Sequence, residues 1–221
     1  MLLRCLAALL VAASLSGCEV YTPASPEDIA RARYVSPDAP SVTLMSMVNT
    51  KTGKSAHSGL LINGSQQVLY DPAGTFTHPD LPRSGDIHYG MSPRFVDYYE
   101  RYHARFDYFV EAQKVPVSRE EADRIIANAQ ARGGSFKLEC ALTTAAVLQS
   151  VPPFDHYVHT TLFPESLRQD FAQIPGVKDR FVYESDVGQN KEWVRPVKGE
   201  AIYSDTPLEP GQLASLRGGG S

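Results

Sequence analysis

Short runs of apolar and β-branched residues dominate the part of the chain that follows residue 40. Three such runs cover Ser41–Asn49, Ser55–Ile62 and residues 66–70. A polar turn separates the first two runs, and Asn63-Gly64, a dipeptide typical of tight hairpins, separates the last two. This pattern predicts three consecutive strands in an antiparallel meander.

Apolar residues at helical spacing become common farther along the chain. Ser118 and Glu121 form a capping box ahead of an apolar stripe that ends at Gly133-Gly134. Further helices are predicted over residues 26–33, 93–105, 140–150 and 164–174, strands over 106–117 and 180–184, and a surface loop over 75–90. The helix over 93–105 carries an aromatic stripe, which favours core packing over a ligand platform. The stripe consists of Phe95, Tyr98, Tyr99 and Tyr102.

The first 17 residues have the features of an export signal, with one basic residue ahead of a short apolar run. Leu15-Ser16-Gly17-Cys18 resembles the lipobox of bacterial lipoproteins. The resemblance implies cleavage before Cys18, a lipid on that thiol and attachment to a membrane; an ordinary secretory signal or a membrane anchor is the alternative. Glu19, where an Asp would favour the inner membrane, favours the outer membrane facing the periplasm, with the inner membrane left open.

The remaining boundaries follow from composition. Residues 18–40 contain four prolines and are expected to be a tether, residues 41–205 one folded domain, and residues 206–221 a flexible tail. The formal charge of −4 gives no reason to expect a nucleic-acid partner. No compact His/Cys/Asp set has the spacing of metal ligands, so neither a zinc site nor a cofactor is expected. The sequence identifies no protein partner.

Cys140 begins an apolar helix in this prediction. If Cys5 leaves with the signal and Cys18 is acylated, Cys140 is the only free thiol of the mature protein. The positive end of a helix dipole lowers the pKa of a thiol placed there, which favours the nucleophilic thiolate. The alternative is a buried cysteine that acts as a small packing residue.

His57 and Asp71 are the candidates for a base and its orienting carboxylate. With a two-residue hairpin loop, His57 would face Tyr70; with a three-residue loop, residues 63–65, it would face Asp71. A carboxylate beside an imidazole fixes its tautomer and stabilises its cation. Five other histidines compete for the base role, and the last two rank next because they follow the cysteine helix closely. They are His78, His88, His103, His156 and His159.

The order of these features resembles the circularly permuted branch of the papain-like superfamily, which includes NlpC-type and lecithin:retinol-acyltransferase-like domains. The matching segments are residues 55–62, 68–71, 115–122 and 139–142. The resemblance implies an α+β fold in which an antiparallel sheet carrying the histidine packs against a helix that begins near the cysteine. It also implies Cys140 as nucleophile, His57 as base and Asp71 as the orienting group. Many relatives have Asn where this chain has Glu139, and a carboxylate there would oppose thiolate formation.

The resulting expectation is a periplasm-facing lipoprotein hydrolase that cleaves an amide or peptide bond through an acyl-enzyme on Cys140. Peptidoglycan stem peptides are one substrate class that the resemblance implies. Lipid acyl groups are the other, and they would make the protein an acyltransferase. A non-catalytic envelope lipoprotein, which serves binding or assembly on the same scaffold, is the alternative from another class.

Overall fold

A computed structural model describes residues 22–183 of the 221-residue chain. Seven strands in this range form one antiparallel sheet with the order β4-β5-β3-β2-β1-β6-β7. They are β1 Ser41–Asn49, β2 Ser55–Asn63, β3 Gln67–Tyr70, β4 Arg83–Ser84, β5 Ile87–Tyr89, β6 Tyr108–Pro116 and β7 Lys178–Val182. The expected signal peptide, Cys18 and the expected tail lie outside the described residues.

The sheet is accompanied by helices, so the architecture is α+β. The helices are α1 Pro26–Ala32, α2 Pro93–His103, α3 Arg119–Arg132, α4 Cys140–Leu148, α5 Phe154–Tyr157 and α6 Pro164–Phe171. The capping box at the start of α3 is confirmed: the Ser118 hydroxyl accepts from the N–H of Glu121, whose carboxylate accepts from the N–H of Ser118. Within residues 22–183, no helix is long and apolar enough to cross a membrane.

The two faces of the sheet pack against different helices. One face is covered by α3 to α6, and its buried residues include Leu44, Leu60 and Ala145. The other face is covered by α2, and its buried residues include Met45 and Tyr99. Because neighbouring residues of β1 point to opposite faces and both faces are covered, eight of its nine residues are buried.

The predicted loop over residues 75–90 is wrong in part, because it contains β4 and β5. These two- and three-residue strands extend the sheet beyond β3. Their polar and glycine-rich sequence carries little strand signal, and the sheet itself supplies their hydrogen bonds. The strand predicted over residues 180–184 is observed two residues earlier, as β7.

The hairpin between β2 and β3 differs from both predicted registers. Asn63 pairs with Gln67 and Leu60 with Tyr70, so the loop consists of residues 64–66. The Asn63 amide donates to the carbonyl oxygens of Asp38 and Ala39, at 3.2 and 3.1 Å. These contacts hold Asn63 as the last residue of the strand, against its preference for a turn.

Candidate active site

His57 lies on β2 at a bulge, which fixes the direction of its side chain. It pairs with Met47 of β1, whereas the next pair joins Val48 to Ser55, so Ala56 is an extra residue. His57 has the same parity as Gly59 and therefore lies on the α2 side of the sheet. Its side chain is 19% exposed.

Asp71 follows β3 directly, and its carboxylate reaches His57 past Gly59, which has no side chain. Continuing the β2–β3 register places Asp71 beside Gly59, so Asp71 and His57 are diagonal neighbours on one face. The Oδ1 atom of Asp71 lies 2.7 Å from Nε2 of His57 and also accepts a hydrogen bond from the Tyr99 hydroxyl at 2.8 Å. The carboxylate is 1% exposed. Its pairing with His57 therefore takes place almost entirely out of solvent.

Two glycines provide the space that this carboxylate occupies. A Cβ atom at Gly59 would lie 2.5 Å from the Tyr99 hydroxyl oxygen and 3.3 Å from Oδ1 of Asp71. A Cβ atom at Gly74 would overlap Oδ2 of Asp71. Any larger side chain at either position would displace Asp71 or its partners.

The pKa values of the pair favour opposite charges. Burial alone would lower the pKa of His57, but hydrogen bonds with Asp71 and Cys140, together with their negative charges, raise it to about 10. Burial would raise the pKa of Asp71, but the hydrogen bond and charge of His57 lower it to about 2. At neutral pH the site therefore holds an imidazolium beside a carboxylate.

Cys140 is the first residue of α4 and a free, buried thiol. Its sulfur is hydrogen-bonded to the imidazole of His57 and accepts from the main-chain N–H groups of Ser58 and Ala141. Because Nε2 of His57 is engaged by Asp71, Nδ1 is the ring nitrogen left for the sulfur. Burial raises the pKa of the Cys140 thiol, but His57 and the two N–H groups outweigh burial and lower it below its ordinary value.

Cys140 contacts His57 at a part of β2 that is not paired with β3. β3 pairs with β2 only between Leu60 and Asn63, so the N–H of Ser58 lies beyond the end of that pairing. α4 packs against β2 from the opposite side of the sheet to α2. The early end of β3 therefore lets Cys140 reach His57 around the strand.

The residues before Cys140 form an exposed turn. The carboxylate of Glu139 accepts from the N–H of Phe136 at 3.3 Å. The pKa of Cys140 is nevertheless lowered, because the hydrogen bond and charge of His57, with the N–H groups of Ser58 and Ala141, together outweigh burial. Leu138 has a positive φ of 74°, and the side chains of Phe136 and Leu138 are 81% and 86% exposed. Two apolar side chains therefore stand free within four residues of the thiol.

Of the five competing histidines, His103 and His88 lie near the triad, and the two that ranked next do not. The His103 ring stacks on His57 with centroids 5.9 Å apart, and its Nδ1–H donates to the main-chain oxygen of Tyr99. Burial lowers the pKa of His103 and of the buried His88 to about 4. His156 and His159, which ranked next as bases, are 79% and 76% exposed and face Asp155 and Asp170. The structure does not bring those two to Cys140.

Tyr99 is a site residue whose role the sequence did not predict. Its position in an aromatic stripe predicted packing, and it does pack in the core beneath α2. A fully buried tyrosine also needs a partner for its hydroxyl, and that requirement was the available signal. Among residues 22–183, no group of three or more His, Cys, Asp or Glu side chains is arranged to hold a metal ion.

The three residues predicted for the site are thus adjacent: Cys140, His57 and Asp71 form one hydrogen-bonded chain. Such a chain can pass a proton from thiol to imidazole and stabilise the resulting cation. No family model, curated protein or solved structure matches this chain.

Proposed function

We propose that this protein is a cysteine hydrolase of permuted papain-like fold that acts through an acyl-enzyme on Cys140. One observation carries the proposal. The only thiol within residues 22–183 is hydrogen-bonded to an imidazolium that is itself paired with a buried carboxylate. A cysteine that merely filled space would not need His57 and Asp71 in this order.

The mechanism follows from the hydrogen bonds. His57 holds the proton of the thiol, and the Cys140 thiolate attacks a carbonyl carbon of the substrate. The main-chain N–H group of Cys140, at the start of α4, supplies a donor for the negative oxygen of the tetrahedral intermediate. Collapse breaks the acyl bond while His57 gives its proton to the leaving group. Water, deprotonated by His57, then releases the acyl group from Cys140.

The proposed substrate bond is an amide or peptide bond, with peptidoglycan stem peptides as the first class to test. This choice depends on the proposed envelope location. If Cys18 is lipidated, the domain is held at a membrane surface, and at the outer membrane it would face the cell wall. An inner-membrane position is the alternative.

Two observations favour other functions. Phe136 and Leu138 are exposed apolar side chains close to Cys140, which favours a lipid acyl substrate and an acyltransferase. Cys140 itself is only 6% exposed, which favours a non-catalytic envelope lipoprotein. A substrate would have to reach the sulfur through a narrow opening or after a local movement.

The test compares the wild type with Cys140→Ala and with Ser118→Ala, which weakens a helix cap outside the site. Each protein is incubated with peptidoglycan fragments and, separately, with phospholipid vesicles, and the products are identified by mass spectrometry. Peptide release by the wild type and Ser118→Ala, but not by Cys140→Ala, supports the proposal. Acyl transfer from the vesicles with the same dependence favours the acyltransferase. The nucleophile is rejected if neither substrate reacts and iodoacetamide labels folded Cys140 no faster than denatured Cys140.

A further inference from the structure

We infer that Tyr99 is a positioning residue for the triad: its hydroxyl keeps the negative charge on Asp71, and thereby the positive charge on His57. The inference deepens the proposed function, on which its catalytic purpose rests. Its effect on Cys140 can be measured without any substrate.

The Tyr99 hydroxyl contacts the same carboxylate oxygen of Asp71 that pairs with His57. The Tyr99 hydroxyl and Nε2 of His57 both approach Oδ1 of Asp71, at 2.8 and 2.7 Å. Tyr99 and Asp71 are 0% and 1% exposed, so water cannot readily replace the hydroxyl. The hydroxyl also occupies the space left by the missing Cβ of Gly59. Three elements of the fold, β2, α2 and the segment after β3, are therefore fitted to this one contact.

The packing around Tyr99 allows its hydroxyl little freedom. Its ring meets Phe76 edge to face with centroids 5.1 Å apart and His103 at 4.5 Å. The Nδ1–H group of His103 also donates to the main-chain oxygen of Tyr99, at 3.0 Å. These contacts hold the ring from two sides and aim the hydroxyl at Asp71.

The hydroxyl affects where the shared proton resides. The proton between Nε2 of His57 and Oδ1 of Asp71 can stay on the imidazole or pass to the carboxylate. A hydrogen bond from Tyr99 stabilises the ionised carboxylate and so keeps the proton on His57. Without the hydroxyl, Asp71 becomes more basic and less firmly oriented. Both changes weaken the imidazolium that stabilises the Cys140 thiolate.

The test measures the rate of Cys140 alkylation by iodoacetamide as a function of pH, followed by mass spectrometry of the Cys140 peptide. Tyr99→Phe removes only the hydroxyl, and we expect alkylation about tenfold slower at pH 7, with the midpoint of the profile shifted to higher pH. Tyr98→Phe is the matched control, since Tyr98 is the preceding residue on α2 and packs against His78 and Phe95. Its profile should coincide with that of the wild type. The inference is overturned if the Tyr99→Phe profile also coincides with it.

A second measurement tests the placement itself. Gly59→Ala should slow alkylation strongly in the wild type, because the new methyl group meets the Tyr99 hydroxyl oxygen. In the Tyr99→Phe background that oxygen is gone and the closest remaining contact is Oδ1 of Asp71 at 3.3 Å, so Gly59→Ala should slow alkylation less than it does in the wild type. If Gly59→Ala slows alkylation equally in both backgrounds, the placement of the Tyr99 hydroxyl beside Gly59 is contradicted. Near-ultraviolet circular dichroism checks that each variant is folded, and if Gly59→Ala is not, the Tyr99→Phe profile decides alone.

The outcomes separate this inference from the proposed function. A shifted profile in Tyr99→Phe, combined with a wild type that turns over neither peptidoglycan fragments nor vesicles, supports the positioning role and contradicts the proposed hydrolase activity on those substrates. An unchanged profile in an active enzyme rejects the positioning role and leaves the hydrolase intact.

Discussion

His57 and Asp71 are held 2.7 Å apart as a diagonal pair across Gly59, and they do not face each other in the strand register. A directly opposed pair would have needed only the correct hairpin loop. The diagonal arrangement also needs a residue without a side chain between them. The site therefore depends on the absence of a side chain at Gly59 as well as on the side chains of Cys140, His57 and Asp71.

Asp71→Asn should disable the thiol by removing the charge that holds the His57 proton. Burial then lowers the pKa of His57 from about 10 towards or below its ordinary value, and the pKa of Cys140 rises. We expect alkylation of Cys140 at pH 7 to slow by at least about tenfold, and an NMR titration of the His57 ring to show the lower pKa. Asp170→Asn is the control, because it removes a carboxylate from the exposed His159. Equal alkylation rates in both variants would contradict the assignment of Asp71.

Gly74→Ala should displace the Asp71 carboxylate through a steric clash with Oδ2, the oxygen that does not pair with His57. The new methyl group would overlap Oδ2, so the carboxylate must rotate or the turn must open. We expect a loss of about 1–3 kcal/mol in the free energy of unfolding and slower alkylation of Cys140. Urea unfolding and the alkylation assay measure the two effects. Gly134→Ala, where a Cβ has no neighbour within 4 Å, should change neither, and a similar loss at both glycines would refute the steric argument.

Acid should destabilise the fold below pH 6.5, before most carboxylates are protonated. His88 is buried and His103 is half-buried, and desolvation lowers the pKa of each to about 4, so the unfolded chain binds protons between pH 6.5 and 4 that the folded chain does not. Each group therefore lowers the free energy of unfolding by up to about 1.4 kcal/mol per pH unit in this window. The depressed pKa of Asp71, about 2, adds a further loss between pH 3.8 and 2, with the same sign.

His88→Phe tests this dependence. Neither ring nitrogen of His88 has a hydrogen-bond partner among residues 22–183, and the ring meets Phe76 edge to face. A phenyl ring should therefore keep the packing and remove one titration. Urea unfolding at several pH values should give a shallower loss of stability between pH 6.5 and 4. His156→Gln, at an exposed position, should leave the slope unchanged, and an unchanged slope in His88→Phe would contradict the argument.

Local chemistry made several features predictable from the sequence. The capping box of Ser118 and Glu121 lies within one helical turn. Pro152 and Pro153 cannot continue a helix, and α4 ends at Leu148, a few residues before them. Each of these features depends only on residues close together in the sequence. The same holds for the elements that carry the candidate residues. The strand of His57 and the helix start at Cys140 were both expected, and the structure places both.

Features set by distant contacts were not predictable in the same way. The hairpin register depends on hydrogen bonds from Asn63 to residues 38 and 39, which no turn rule includes. The role of Tyr99 depends on a carboxylate 28 residues earlier in the chain. In both cases the tertiary fold determines the partner of a polar group. Local preference therefore predicted the wrong register at Asn63 and only the packing role of Tyr99.

The turn that leads into Cys140 contains a backbone position at which most side chains are strained. Leu138 adopts a positive φ of 74°, which leucine rarely does, and its side chain is 86% exposed. Glycine adopts this conformation freely, whereas a β-branched residue is strained there, so Leu138→Val should be less stable than Leu138→Gly by about 1–2 kcal/mol. Phe136→Val is the control, because Phe136 is similarly exposed without a positive φ, and it should change stability little. Urea unfolding compares the three variants, and equal stability of Leu138→Val and Leu138→Gly would contradict the strain expected at the positive φ of residue 138.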